Sequence, residues 1–152
     1  MATQTVARMG MALAAALVVS ACATGGGRLD AGEKLTIYRA AAGAPVGSFP
    51  YHGNITGWTP LGDGAIALWT GPSRAWLLDL DGPCPDIDFS PVIAVTSSEG
   101  GRVMARFDKV LASGHGSMQI PCRIREIRPL DTRQIKAAEK AARDDQGASS
   151  GT

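Results

Sequence analysis

Between residues 35 and 131, short apolar runs alternate with segments rich in glycine, proline, aspartate and serine. Six of these runs are rich in β-branched and aromatic residues, at 55–59, 65–70, 75–80, 92–96, 103–110 and 122–128. Runs of this length and composition, bounded by turn residues, predict β-strands. The sequence therefore predicts a chain of short strands joined by tight turns.

The spacing within the runs indicates how the strands are buried. Cys122-Arg123-Ile124-Arg125 alternates apolar and charged residues. In the run at 75–80, Trp76, Leu78 and Leu80 alternate with Ala75, Leu77 and Asp79. Because successive strand residues point to opposite faces, we expect one buried face on each strand. No long helical pattern separates the strands, which argues against a parallel sheet. We predict a mainly β domain over 35–131, a small antiparallel barrel or sandwich of about six short strands.

A helical pattern follows the strands. Asp131 is a suitable N-cap with Gln134 three residues later, and residues 132–143 are rich in Ala, Lys and Glu. The apolar stripe of this segment has a single large residue, Ile135. We therefore predict one C-terminal helix that docks loosely, followed by a disordered tail over 144–152.

The first 21 residues have the pattern of an export leader. Arg8 supplies a positive flank, and the apolar core at 9–19 is shorter than the roughly 20 residues that span a bilayer. Val19-Ser20-Ala21-Cys22 then resembles the bacterial lipobox, in which small residues precede a cysteine whose thiol receives a diacylglycerol. We predict a lipoprotein signal peptide over 1–21 and lipidation of Cys22.

Two other interpretations of this segment stay open. Ala21-Cys22-Ala23 also satisfies the A-x-A rule of the ordinary signal peptidase, which would release a soluble periplasmic protein, and an uncleaved anchor is the second alternative. If Cys22 is acylated, its lipid chains hold the protein on the membrane and no transmembrane helix is needed. Ala23 after the cysteine favours the outer membrane. We expect a flexible tether over 22–34 and a domain on the periplasmic face of the bacterial cell envelope.

The cysteine count agrees with export. If Cys22 is acylated, Cys84 and Cys122 remain, and paired cysteines are usual in the oxidising periplasm. Their disulfide would close a loop of about 39 residues and contribute about 4 kcal/mol of stability. The alternatives are a metal site that adds His52 and His115, or a catalytic thiol, although no C-x-x-C or H-x-x-x-H spacing is present.

Length and charge limit the number of domains and the class of partner. The chain of 152 residues has a formal net charge of +1, so we expect one domain and no nucleic-acid partner. Residues 22–100 hold four basic and eight acidic side chains, whereas 101–152 hold ten basic and six acidic. The basic half could contact phosphate-rich headgroups or another acidic envelope polymer, with scattered surface arginines as the alternative.

Several residues are candidates for chemistry, each with a structural alternative. His52 and His115 lie beside glycines and could act as general bases, but no G-x-S-x-G or comparable nucleophile setting accompanies them. Exposed loop histidines are the alternative. Trp58, Trp69 and Trp76 could form a platform for a glycan or peptide, or pack in the core. No cofactor motif is present.

An acidic cluster follows the run at 75–80. Its members are Asp79, Asp81, Asp86 and Asp88. Oxygen clusters suit calcium, but Gly82 follows Asp81 directly and Ser90 stands where an EF-hand needs a glutamate. Turn-forming aspartates are the alternative. We expect no metal site here.

Three segments of the chain carry a family resemblance. They are Trp76-Leu77-Leu78-Asp79-Leu80 with Cys84 downstream, Arg106-Phe107-Asp108-Lys109-Val110, and Cys122-Arg123-Ile124. Over about 35–131 the chain resembles a family of small proteobacterial envelope proteins whose domain has no known function. The resemblance implies an exported β domain with paired cysteines and implies no catalytic residue.

Two functions follow as hypotheses. The first is an envelope-anchored lipoprotein whose β domain is a non-enzymatic binding or structural module, with the membrane and another envelope protein as partners. The second is a periplasmic hydrolase or metal-dependent enzyme that uses His52 or His115 with aspartates. A histidine within hydrogen-bond reach of a carboxylate and a hydroxyl would favour the enzyme, and histidines exposed on separate loops would exclude it.

Overall fold

The computed structural model describes residues 28–62, 64–84, 87–112 and 121–149. Within these ranges it confirms a mainly β fold, with eight strands in antiparallel sheets and two α-helices. The helices are α1 (Ala31–Ala40) and α2 (Thr132–Ser149). The strands are β1 (Ser48–Pro50), β2 (Gly57–Pro60), β3 (Ala65–Gly71), β4 (Arg74–Leu80), β5 (Ile93–Val95), β6 (Arg102–Met104), β7 (Lys109–Ala112) and β8 (Pro121–Leu130). The predicted leader and Cys22 lie outside the described residues.

Six strands form one curled sheet in the order β2-β3-β4-β8-β7-β5. Tight turns join β2, β3 and β4, and Gly64 in the first turn has a φ of 78°. A Cβ at Gly64 would lie 2.9 Å from the carbonyl oxygen of Gly82, so this close backbone approach requires glycine. The ten-residue strand β8 pairs with β4 along one edge and with β7 near its start, which joins the two halves of the sheet.

A separate two-stranded sheet of β1 and β6 lies against the concave side of the large sheet. Phe49 of β1 and Val103 of β6 are fully buried in the same cluster as Leu68, Leu78 and Ile124 of the large sheet. The amide of Val46 also donates to Ile127 of β8, 2.8 Å away, which ties the ribbon to the sheet. The inner core therefore lies between the curled sheet and the small ribbon.

The opposite face of the sheet is covered by the helices. Leu77 of β4 and Ala67 of β3 are buried there with Tyr38 of α1 and Ile135 of α2. Both faces of β3 and β4 are thus buried, and the prediction of a single buried face is wrong for these two strands. The reason is that the helices pack against the outer face of β3 and β4, so the residues on that face are buried and apolar as well. The prediction is confirmed at the start of β8, where Cys122 is buried and Arg123 is exposed.

Helix α1 was not predicted. Its N-cap is Asp30, whose carboxylate accepts from the amide of Glu33 at 2.8 Å, while the Glu33 carboxylate accepts from the amide of Asp30 at 2.9 Å. This reciprocal pair is a capping box, which fixes the start of the helix. Leu29 is already buried. The prediction of a flexible tether extending to residue 34 is therefore wrong from Leu29 onward.

Helix α2 begins where the sequence predicts and continues further. The Asp131 carboxylate accepts from the amides of Gln134 and Arg133, and these bonds lower the pKa of Asp131. The helix extends to Ser149, so the predicted disorder is wrong for 144–149. Contact with α1 explains the difference, because the side chain of Gln146 donates to the Glu33 carboxylate at 3.2 Å. No helix in the described part of the chain is long and apolar enough to cross a membrane.

The strands match five predicted runs and differ at two places. The run predicted at 103–110 is split into β6 and β7 by a turn at residues 105–107. Arg106 in this turn has a φ of 70°, a conformation that ends a regular strand. Strand β1 was not predicted, because its sequence Ser-Phe-Pro is too short to show alternation.

Candidate functional site

The disulfide between Cys84 and Cys122 is confirmed, with the two Cα atoms 5.9 Å apart. Cys122 lies on β8 and Cys84 lies in the loop after β4, and both are buried at the edge of the inner core. The bond joins this loop to the central strand. Because both thiols are consumed, the metal-site and catalytic-thiol alternatives for this pair are wrong.

His52 lies exposed in the loop after β1. It lines a small recess of about 90 Å³ together with Tyr51, Asn54, Thr70 and other residues. No carboxylate lines this recess within the described residues, so the constellation that a hydrolase needs is not assembled around His52. His115 lies outside the described residues, and its role stays a prediction.

The aspartate cluster is dispersed by the fold. Asp79 is buried on β4 and bound to Arg39 of α1, whereas Asp81 and Asp88 are exposed. Asp86 lies outside the described residues. Among the residues that the structure describes, no group of three or more His, Cys, Asp or Glu side chains could hold a metal ion.

The three tryptophans do not form one platform. Trp58 and Trp76 pack against the inner core, whereas Trp69 packs against the helical layer on the other face. Trp76 stacks on Phe49 with ring centroids 4.7 Å apart. Each of the indole N–H groups of Trp69 and Trp76 donates to a threonine hydroxyl. These contacts favour the packing interpretation.

Asp108 accepts four hydrogen bonds, more than any other side chain in the part of the domain that the structure describes. It is fully buried, and its carboxylate accepts from the hydroxyl of Thr96 at 2.8 Å, from the amide and hydroxyl of Ser98 at 2.9 and 2.6 Å, and from the amide of Met104 at 2.7 Å. Burial opposes ionisation, but these bonds outweigh it and lower the pKa of Asp108. Asp108 thus holds the strand β6, the turn after it and the loop after β5 together.

The turn held by Asp108 presents two exposed side chains. Phe107 is 70% exposed, and Arg106 beside it has the positive φ noted above. The amide of Arg106 donates to Ile124 of β8 at 2.6 Å, which fixes the turn against the central strand. An exposed aromatic residue on a fixed backbone is typical of a recognition surface, since little conformational freedom is lost on binding.

A charged cleft lies beside this turn. It consists of three adjoining depressions that share Arg125, and we call it the arginine cleft. Its charged residues are Arg39, Arg106, Arg125, Arg128, Asp79 and Glu126. The sequence indicated a basic second half, but not that α1 would add Arg39 to it.

The carboxylates of the arginine cleft are paired. Asp79 and Glu126 are directly opposite on β4 and β8, an arrangement in which like charges repel. Arg39 lies 3.1 Å from Asp79, and Arg128 lies 2.6 Å from Glu126. Each carboxylate therefore has its own arginine, and the strand pair tolerates both acids.

One large open depression lies elsewhere, between the end of α1, the start of α2 and the β3–β4 turn. Its volume is about 760 Å³, and it is lined by residues 40–43, Ser73 and residues 129–134. The Asp131 carboxylate in this lining accepts from the amides of Arg133 and Gln134 as the cap of α2. This depression is lined by two charged residues, Asp131 and Arg133, whereas the arginine cleft has six.

Tyr38 has a strongly raised pKa. Burial, together with the nearby Glu139, raises its pKa to about 12, so the hydroxyl stays protonated and donates to Glu139 at 3.1 Å. This bond joins α1 to α2. Its position between two helices indicates a structural role.

Comparison with known proteins identifies a family and no relative of known activity. No curated protein and no solved structure matches the chain. A family of unknown function, DUF6491, matches residues 5–146, a longer range than the resemblance over 35–131 indicated. The chain therefore belongs to the DUF6491 family of unknown function.

Proposed function

We propose that this protein is an envelope lipoprotein whose mature chain begins at an acylated Cys22 and whose β domain is a binding module. The observation that carries the proposal is the disulfide between Cys84 and Cys122. Disulfides persist in oxidising compartments, and this one accounts for every cysteine except the one in the lipobox pattern. The family match begins at residue 5 and therefore also includes most of the predicted leader and Cys22.

The start of α1 shortens the tether. Cys22 and Asp30 are eight residues apart, and an extended chain spans at most about 3.6 Å per residue. The N-cap of α1 then lies within about 30 Å of the lipid. A domain held so close to the membrane acts at the membrane surface, and Ala23 favours the outer membrane.

The binding surface that we propose is the turn with Arg106 and Phe107. Aromatic and arginine side chains contribute most of the binding energy in many protein interfaces, because they bury much area and donate several hydrogen bonds. Two backbone amides at this turn are already hydrogen-bonded: that of Met104 donates to the Asp108 carboxylate and that of Arg106 donates to the carbonyl of Ile124. The turn is therefore held in place before a binding partner arrives. The proposed partner is another envelope protein.

Mass spectrometry of the protein isolated from its native envelope tests the anchor. We expect an N-terminal peptide that begins at Cys22 and carries an acyl mass, and a Cys22→Ser chain that retains its leader without this mass. An unmodified mature N-terminus, or an intact leader on the native protein, would contradict the lipoprotein proposal.

Crosslinking in intact cells tests the binding surface. We expect Phe107→Ala to lower the yield of the crosslinked partner about tenfold, since a central aromatic anchor contributes 1.4 kcal/mol or more. The matched control is Phe89→Ala, because Phe89 is 85% exposed but lies outside this turn. Equal yields from the two variants would refute Phe107 as the anchor.

A further inference from the structure

We propose that the arginine cleft is a binding site for a phosphate group, carried by a lipid headgroup or free in solution. The inference deepens the proposed binding function and rests on it for its physiological setting. Three observations support the phosphate site: the position of Arg125, the pairing of the other charged side chains, and the net charge of the cleft.

Arg125 owes its position to a β-bulge. Leu80 of β4 pairs with Ile124, and the preceding residue Asp79 pairs with Glu126, so Arg125 is an extra residue in β8. A bulge redirects a side chain and interrupts regular pairing, and bulges are frequent beside functional sites. Here the bulge lets Arg125 line all three depressions of the cleft.

Two arginines of the cleft remain available for a ligand. Arg39 and Arg128 are bound to carboxylates, as described above. Arg106 and Arg125 have no ion pair or side-chain hydrogen bond in the part of the chain that the structure describes. A guanidinium group has five N–H donors, so Arg39 can also donate to a ligand while it contacts Asp79 at one nitrogen.

The net charge of the cleft suits a phosphate group. Four arginines and two carboxylates leave a net charge of +2. A phosphate monoester carries about −1.5 to −2 at pH 7 and presents three acceptor oxygens. Guanidinium groups bind phosphate through paired N–H donors, a geometry that a single lysine cannot supply. The depression beside Gly64 and Gly82 is about 490 Å³, which accommodates a phosphate with part of its carrier.

The test follows the arginine side-chain N–H signals of the purified full chain by NMR. One arm titrates inorganic phosphate into the protein in nanodiscs of a neutral glycolipid that contains no phosphate, and the second replaces part of that lipid with phosphatidic acid. The variant is Arg125→Gln and the matched control is Arg123→Gln, because Arg123 is exposed on the same strand but lies outside the cleft. The backbone spectrum of each variant shows whether it is folded.

We expect saturable shifts of the cleft arginines in at least one arm, with affinity lowered about tenfold or more by Arg125→Gln and less than about twofold by Arg123→Gln. A response to inorganic phosphate identifies free phosphate as sufficient, and a response to phosphatidic acid alone identifies the headgroup. No response in either arm, or equal losses in the two variants, overturns the proposal. The phosphate titration does not depend on the anchor, because the first arm can also be run without lipid. If mass spectrometry finds no acyl group on Cys22, the lipoprotein proposal is refuted and the phosphate proposal can still be tested.

Discussion

Replacing Asp108 with asparagine should destabilise the domain strongly although the shape of the side chain is unchanged. An amide can keep one acceptor oxygen for Thr96 and Ser98, but its NH₂ group cannot accept from the amide of Met104, now 2.7 Å from the second oxygen. A buried donor without a partner costs about 1–3 kcal/mol, and the three remaining bonds each lose part of their charge assistance. We expect a loss of about 3 kcal/mol, a large share of the roughly 5–15 kcal/mol that stabilises a domain.

Urea unfolding of the disulfide-bonded full chain measures this loss. The pKa of Asp108 is lowered in the folded protein, so the stability that its carboxylate contributes is present above the unfolded pKa of about 3.9. It is lost as the pH falls through the lower, folded pKa. The difference between wild type and Asp108→Asn should therefore be full at pH 7 and shrink as the pH falls below the unfolded pKa of about 3.9.

The matched control is Asp88→Asn, because Asp88 carries the same charge but is exposed. We expect the control to remain within about 0.5 kcal/mol of wild type. The reasoning is refuted if Asp108→Asn is as stable as this control at pH 7, or if its deficit is the same at pH 7 and pH 2.

Two further predictions concern the disulfide and the helical layer. The double variant Cys84→Ser and Cys122→Ser should lose about 4 kcal/mol in urea unfolding relative to the oxidised protein, and should match the reduced wild type; equal stability with and without the bond would contradict the chain-entropy argument. Tyr38→Phe should lose about 1 kcal/mol at pH 7, because it removes the bond to Glu139. Since the folded pKa of Tyr38 is raised to about 12, its contribution is present below about pH 10 and falls as the pH rises through 12. An equally steep alkaline loss of stability in Tyr38→Phe would refute this.

Local patterns were sufficient to predict much of the fold. Short apolar runs with turn residues at both ends predict the limits of β3, β4 and β8 closely, because the turn residues mark where each strand begins and ends. The cap at Asp131 is likewise local, since its partners are two and three residues away. The pairing of Cys84 with Cys122 was predicted because they are the two cysteines that remain if Cys22 is acylated, and because an oxidising periplasm favours disulfides.

Other features were present in the sequence but were missed. The capping box of Asp30 and Glu33 is a recognisable D-x-x-E signal, and it marks the start of α1. Helix α1 has few large apolar residues, so the residues after this signal do not show the apolar periodicity that would indicate a helix. Tyr38 becomes buried only because the sheet and α2 lie against it.

Short-range sequence patterns are sufficient for the limits of β3, β4 and β8, for the cap of α2 and for the pairing of the two domain cysteines, because each depends on neighbouring residues or on simple counting. Three features required the folded structure: the burial of β3 and β4 on both faces, the bulge that places Arg125 beside an arginine from α1, and the network through which Asp108 joins the loop after β5 to the turn after β6. The first two depend on strand register and on contacts between residues far apart in the chain, and the third depends on how the loop after β5 folds back onto Asp108. A shift of one residue in register reverses the faces of a strand, and the bulge at Arg125 is such a shift, which appears only in the pairing of β8 with β4.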